Sequence, residues 1–240
     1  MFAFAIYDSE QQEIIIFRDR AGVKPLYYSQ TDNALMFSSE LKPLMKYPDF
    51  NKEIDFEAVS SYLQFGYIHA PKTIFKAVQK LLPGHYLKYD IESKSLVKEC
   101  YWNIKKFYEN QVAREDIAEE LEATIIEAFN LRMIADVPVG VFLSGGIDSS
   151  LVAAIVQKYS KIPINTFTIG FEDKKYDESN YAKEIAKYLG TNHTELICKK
   201  EDALAIITKL PKIFDEPFAD SSAIPTVLVS ELAKKKESAE

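Results

Sequence analysis

The chain of 240 residues is poor in the groups that build disulfide-stapled or metal-stapled folds, with two cysteines, three histidines and one tryptophan. Cys100 and Cys198 stand far apart with no histidine at ligand spacing, which excludes a disulfide framework and a zinc site. Two free thiols suit a reducing compartment, so a cytoplasmic location is expected. His69 and His85 have no second histidine or cysteine nearby and read as structural groups. Long hydrophobic runs are missing as well. The run at residues 14–17 is far too short to span a bilayer, and the first residues lack the basic-then-apolar design of a signal peptide. Nor is there an excess of positive charge. A net charge of −7 provides no broad phosphate-neutralising face, so neither nucleic acid nor a membrane is an expected partner. The basic runs at Lys105-Lys106, Lys199-Lys200 and Lys234 to Lys236 read as solvated surface.

What is present suits one large or two modest globular domains, with 47% apolar residues and mixed charge. The informative stretch is residues 137–159. Residues 137–143 are β-branched or apolar without helical period, whereas Leu151, Val152, Ile155 and Val156 recur at helical spacing, so a buried strand runs into a helix through Ser144-Gly145-Gly146. Glycines there let a ligand approach the main chain. Free N–H groups at the helix start, with the hydroxyls of Ser144, Ser149 and Ser150, then form an anion cradle suited to a phosphate chain. It is not a Walker A loop. Counting from Gly140, Gly146 and Ile147 stand where that loop needs Lys and Ser or Thr. Without a lysine for a terminal phosphate, and with Asp148 placed to hold Mg²⁺ against phosphate oxygens, pyrophosphate is the expected leaving group. The run from Ser144 through Ile147 to Ser150 resembles the pyrophosphate loop of the N-type ATP pyrophosphatases, which split ATP to AMP and pyrophosphate.

The other stretches read as follows. Residues 1–7 form an apolar strand of alternating large and small residues, expected inside a sheet, and residues 13–18 form a second. Arg18, Asp19, Arg20 and Lys24 read as a salt-bridged turn, with Gly22 and Pro25 bending the chain. Residues 26–28 and 34–37 are extended, and Leu41, Leu44 and Met45 give the buried stripe of a short helix. Asp55 caps a helix carrying Val59, Tyr62 and Leu63 that stops at Gly66. A Pro83-Gly84 turn leads into a hairpin ending near Tyr101-Trp102. Next comes a long amphipathic helix with Ile117, Leu121, Ile125, Ala128 and Phe129 on one stripe. Beyond the cradle, a strand at residues 164–169, a helix stopped by Gly190, a strand at residues 194–198 and a helix at residues 203–213 imply a parallel doubly wound sheet that binds ligands beyond its strands' carboxyl ends.

Three blocks of the first half resemble the later half of the class II glutaminase domain of glutamine-dependent asparagine synthetases. They are Met-Phe-Ala-Phe-Ala-Ile-Tyr-Asp, Arg-Asp-Arg-Ala-Gly-Val-Lys-Pro-Leu-Tyr-Tyr and Ser-Ser-Glu-Leu-Lys-Pro-Leu. In the second half, Thr-Phe-Thr-Ile-Gly-Phe, Asp177-Glu178-Ser179 and the block from Asp215-Glu216-Pro217 through Asp220 to Pro225 are similar to the same family. The resemblance implies a mixed α/β chain in two parts. Residues 1–104 would be half of an N-terminal-nucleophile hydrolase built from two stacked antiparallel sheets. Residues 105–112 would be a linker, and residues 113–240 the first half of an ATP pyrophosphatase domain. The implied nucleotide contacts are Phe142, Ser144, Gly145, Gly146, Ile147, Asp148, Ser149, Ser150 and Ile169. Phe142 and Ile169 would flank the adenine through backbone groups, Asp148 would act through Mg²⁺, and Asp215, Glu216 and Asp220 would form an acidic loop at the active site. ATP, Mg²⁺, aspartate and glutamine are the implied ligands.

The family's glutaminase nucleophile is an amino-terminal cysteine, with its own α-amino group as base. Residues 1 and 2 here are Met and Phe, and Cys100 and Cys198 are internal. The family's second Ser-Gly-rich acidic loop is also not found before residue 240. The expectation is a fragment truncated at both ends, without catalytic residues of its own, whose missing portions adjacent reading frames could supply. The alternatives are a non-catalytic nucleotide-binding or scaffold remnant, or part of a β-lactam-synthetase-like enzyme.

Overall fold

The structure, a computed structural model, describes residues 1–108, 116–173 and 177–237. Residues 109–112 of the expected linker, residues 113–115 that follow it and the turn at residues 174–176 lie outside the described residues. The chain divides into two compact units, Met1–Val112 with Pro211–Asp220, and Ala113–Leu210 with Ser221–Glu240.

In the first unit, strands β1 (Ala3–Asp8), β2 (Glu13–Arg18), β3 (Tyr27–Gln30) and β4 (Leu35–Ser38) precede helices α1 (Leu41–Leu44) and α2 (Phe56–Phe65). Strands β5 (Gln79–Lys80), β6 (His85–Asp90) and β7 (Leu96–Cys100) and helix α3 (Lys105–Tyr108) follow. They form two antiparallel sheets, of order β1-β2-β6-β7 and β4-β3-β5. Period-two alternation sends Ile16 and Leu87 to one face, where they share a core with Leu26, Tyr28 and Leu81. A second cluster joins Leu41 and Leu44 to Phe75 and Val78.

Three expectations change here. Among the described residues β1 pairs with β2 alone, and its Phe2, Phe4, Ile6 and Tyr7 neighbourhood is exposed rather than sandwiched between layers. Asp55 does cap α2, accepting from the N–H groups of Glu57 and Ala58, and Gly66 ends it with φ 79°. The buried residue of α2 is Ala58, however, whereas Leu63 is 77% exposed. Period alone fixes the apolar stripe but not the direction it faces. The charged turn, lastly, is held by main-chain hydrogen bonds rather than by salt bridges. Asp19 accepts from the N–H groups of Phe2, Ala21, Val23 and Lys24 at 3.0 to 3.2 Å, and Arg18 donates to the carbonyls of Gly22, Lys24 and Leu81. Burial alone would raise the Asp19 carboxyl, but those four donors hold it below its ordinary value.

In the second unit, α4 (Ile117–Arg132), β8 (Gly140–Phe142), α5 (Ile147–Tyr159), β9 (Asn165–Phe171), α6 (Ser179–Leu189) and β10 (Asn192–Cys198) alternate. Helix α7 (Lys200–Ile207) follows, then α8 (Leu210–Ile213), of which all but Leu210 belongs to the first unit, then α9 (Ala223–Glu237). The strands are parallel, in the order β10-β9-β8. On one face Val141, Leu143 and Ile164 pack with Ala153 and Val156 of α5 and Ala182 and Ala186 of α6. On the other, Cys198 packs with Ile206 of α7 and Leu228 of α9. Helices therefore cover both faces of a parallel sheet, the arrangement that crossover connections impose. The expected helix over residues 203–213 is two, separated at Thr208 and Lys209, and the second of them opens the segment that belongs to the first unit. The α4 stripe is half wrong for the same reason as that of α2: Phe129 packs on the core, but Ile117 and Leu121 are more than half exposed.

Candidate functional site

The cradle forms where β8 ends. Leu143 continues the ladder, its N–H donating to the Phe167 carbonyl at 2.9 Å, and the chain then turns through Ser144 and Gly145 into α5. Gly145 has φ 83°, and a Cβ there would lie 2.9 Å from Tyr181 Cβ and 3.1 Å from Ala182 N. The position therefore accepts only glycine, and this holds the loop against the first turn of α6. Gly146 begins α5 without a side-chain cap. Ser150 N–H makes the first helical bond, to the Gly146 carbonyl at 3.1 Å, so the N–H groups of Ile147, Asp148 and Ser149 find no helical acceptor. The hydroxyls brace the loop from within. Ser144 Oγ and Ser149 Oγ lie 3.1 Å apart, Ser144 N–H donates to Ser149 Oγ at 3.2 Å, and Ser150 Oγ donates to the Gly146 carbonyl at 2.6 Å. Ile147, 87% exposed, packs on nothing, and the Asp148 carboxylate stands exposed in the same first turn. The loop thus combines unfilled donors, a helix N-terminus and one outward carboxylate, a set that fits a phosphate chain with its divalent cation. Among the described residues no group of three or more His, Cys, Asp or Glu could hold a metal alone, so a cation here needs phosphate oxygens to complete its shell.

Beside the loop, at the carboxyl ends of β8 and β9, lies a cavity of about 280 Å³. Phe142, Leu143, Ile169 and Phe171 wall one side, and Pro225, Thr226 and Val229 of α9 another. Phe142 and Ile169, expected around an adenine, both line it. In a parallel ladder alternate residues point their N–H and C=O to the same neighbour. Phe167 faces β8, and so therefore does Ile169, one pleat beyond the last β8–β9 pair. Leu143 and Glu178 also line the cavity; the sequence places Leu143 in the buried strand and Glu178 in the Asp177-Glu178-Ser179 turn but marks neither as a nucleotide contact. Their places follow from the β8–β9 register and from the packing of α6 against the loop. Of the α9 residues that line the cavity, the sequence marks only Pro225, at the end of the block that begins at Asp215.

A second cavity of about 700 Å³ adjoins the same strand ends and shares Phe171, Glu178 and Pro225 with the first. Cys198 lines it, its thiol pushed up by burial and by the carboxylates of Asp202 and Glu172.

Asp215 and Glu216 fall in the first unit. Asp215 Oδ1 lies 2.8 Å from Lys42 Nζ and its Oδ2 accepts from Leu41 N–H at 2.7 Å. Glu216 Oε2 lies 2.6 Å from Lys80 Nζ and its Oε1 accepts from Ile74 N–H at 2.7 Å. With Tyr27 they border a cavity of about 340 Å³, and burial together with the Glu216 and Asp215 carboxylates pushes the Tyr27 phenol up to about 12. Asp220 ends the same segment. Asp215 and Glu216 are thus ion-paired and bonded to backbone N–H groups, whereas among the described residues the Asp148 side chain has no such partner.

Residues 120–239 match the asparagine synthase family, and residues 1–102 match a glutamine amidotransferase domain. A Methanocaldococcus jannaschii protein whose name carries asparagine synthetase (glutamine-hydrolyzing) 2 is 39% identical over 98% of this chain and 46% of its own length. Asparagine synthetase (glutamine-hydrolyzing) 1 of Bacillus subtilis is 34% identical over 98% of this chain and 37% of its own length. The chain therefore spans less than half the length of either relative.

Proposed function

The chain belongs to the asparagine synthase family, and on that premise we propose that it carries the nucleotide half-site of a glutamine-hydrolysing asparagine synthase beside part of the glutaminase domain. The whole reaction would adenylate the β-carboxylate of aspartate. A carboxylate oxygen attacks the α-phosphorus of ATP, the bond to the β-phosphate oxygen breaks, and pyrophosphate leaves. Ammonia released from glutamine then attacks the acyl carbon and expels AMP.

The observation that carries this reading is the loop itself. Its uncapped α5 N-terminus and internally braced hydroxyls offer fixed N–H donors to the departing pyrophosphate, at no reorganisation cost as charge develops. Ile169 would present its free N–H and C=O to the adenine edge, and the apolar walls would exclude water from it. Asp148 would hold Mg²⁺, which supplies charge neutralisation to the phosphate oxygens when bound. In fold terms the second unit would be part of an N-type ATP pyrophosphatase domain and the first part of an N-terminal-nucleophile hydrolase. Both readings are supported by the parallel sheet of the one and the paired antiparallel sheets of the other.

The test is calorimetric titration of the chain with ATP and Mg²⁺. Asp148→Ala should abolish Mg²⁺-dependent binding, whereas Asp8→Ala, at a surface turn of the first unit, should leave it intact. Equal binding by the two variants would remove the loop from the mechanism.

A further inference from the structure

The nucleotide cavity is lined almost wholly by apolar groups, with Ser144, Thr168 and Thr226 as its neutral polar residues and Glu178 as its one charged residue. Glu178 is an exposed residue at the rim of this cavity, and its carboxylate is an acceptor that the hydroxyls of a bound molecule can meet. Among the described residues the Glu178 side chain has no hydrogen bond or ion pair. Its main chain, by contrast, is fixed: the carbonyl accepts from Tyr181 N–H at 3.1 Å and Ala182 N–H at 3.2 Å, and it lies 3.3 Å from where a Cβ on Gly145 would stand. Glu178 is therefore anchored at the start of α6, directly against the phosphate loop, and is one of the residues that line the cavity. No side-chain cap on α6 depends on it either.

Resting on the nucleotide reading above, we propose that Glu178 reads the ribose, its carboxylate accepting from the 2′ and 3′ hydroxyls, and so sets the preference for ribonucleotides over deoxyribonucleotides. Three properties of the site lead there. Phosphate oxygens carry no donors and would be repelled by a carboxylate. The adenine edge lies on the other wall, where Ile169 offers backbone groups of both kinds. The sugar is the portion of a nucleotide that adjoins the phosphates, as Glu178 adjoins Gly145, and it supplies two hydroxyl donors where the cavity has a single acceptor of full charge. A hydrogen bond to a charged acceptor contributes roughly 1.5–3 kcal/mol, about ten-fold or more in affinity.

The experiment is titration calorimetry on the full chain with Mg²⁺ and three probes: ATP, 2′-deoxy-ATP and 3′-deoxy-ATP. The wild-type chain should bind at least one deoxy analogue about ten-fold more weakly than ATP. Glu178→Ala should bring ATP down to the level of the analogues while leaving the affinity for the analogues within about two-fold of wild type. Glu178→Gln, which keeps one acceptor oxygen without the charge, should retain part of the discrimination, and it serves as the test should the alanine variant lose its cooperative melt. The proposal is overturned if the wild-type chain binds all three probes equally, if either variant keeps the full wild-type ratio, or if Glu178→Ala weakens all three alike. Failure of the wild-type chain to bind any probe would instead remove the nucleotide reading beneath it.

Discussion

His193 shows how one residue makes the second unit sensitive to pH. Its Nδ1 lies 3.0 Å from Thr166 Oγ1, which in turn lies 2.8 Å from Thr191 Oγ1, while Nε2 is buried without a partner. Burial pushes the imidazole below its ordinary value; Glu195 opposes that shift and Lys183 reinforces it. The folded chain therefore binds fewer protons here than the unfolded chain does, in the window from the unfolded value of about 6.5 down to the folded one. Stability is full above that window and falls as pH drops through it. Urea melts followed between pH 7.5 and pH 5.5 should show this loss in the wild-type chain and a flatter profile in His193→Gln; identical slopes would assign the loss to other groups. At this scale the sequence reveals residue type and spacing but not environment. Ser144 and Asp148 are legible because consecutive residues on one turn make the cradle, whereas Leu143, Glu178 and His193 acquire their surroundings from strand register and helix packing.

Among the elements, β1 is the one whose composition and position conflict. Among the described residues its outer edge has no partner strand, and Phe2, Phe4 and Ile6 are 39%, 42% and 49% exposed, with no lysine or proline in the strand to blunt pairing. Phe4 stacks on Phe17 and meets Phe2 in a tilted contact, both at 5.2 Å between ring centroids, so the exposed face presents an aromatic row as well as main-chain groups. The chain alone should associate with rising concentration through this edge. Sedimentation velocity should show Phe4→Lys less associated than wild type at matched concentration, at a cost of about 1 kcal/mol from the lost ring contacts. Unchanged sedimentation in the variant would place association elsewhere. Most elements were readable from their periods, and the ends of α2 and α6 from Asp55, Gly66 and Gly190. Their facing was not. Leu63 and Leu151 sit at helical spacing yet stand exposed, while the small Ala58 and Ala153 take the contact positions where helices approach closely.

At the scale of the whole molecule, Pro211–Asp220 belongs to the first unit although the chain on either side of it, to Leu210 and from Ser221, belongs to the second. No local signal marks this exchange, because the bonds that hold the segment join residues far apart in sequence, such as Leu41 to Asp215 and Ile74 to Glu216. The segment is fastened chiefly by two carboxylates. Glu216 and Lys80 have side chains only 11% and 16% exposed, and Lys80 Nζ also donates to the Ile68 carbonyl at 2.8 Å. Removing one partner of such a pair leaves a charge in poor solvation and, here, an Ile74 N–H without its acceptor. Glu216→Ala should therefore destabilise the first unit by about 3 kcal/mol, and limited proteolysis should cut between residues 211 and 220 well before it does in the wild type. The double variant Lys80→Met/Glu216→Met removes both charges together and keeps side-chain volume. It should recover most of the stability, because a hydrophobic pair avoids the desolvation that the ion pair must offset. If both variants melted and resisted proteolysis like the wild type, the backbone bond of Ala219 N–H to the Gly66 carbonyl at 2.8 Å and the apolar contacts would be holding the segment, and the ion pair would be incidental.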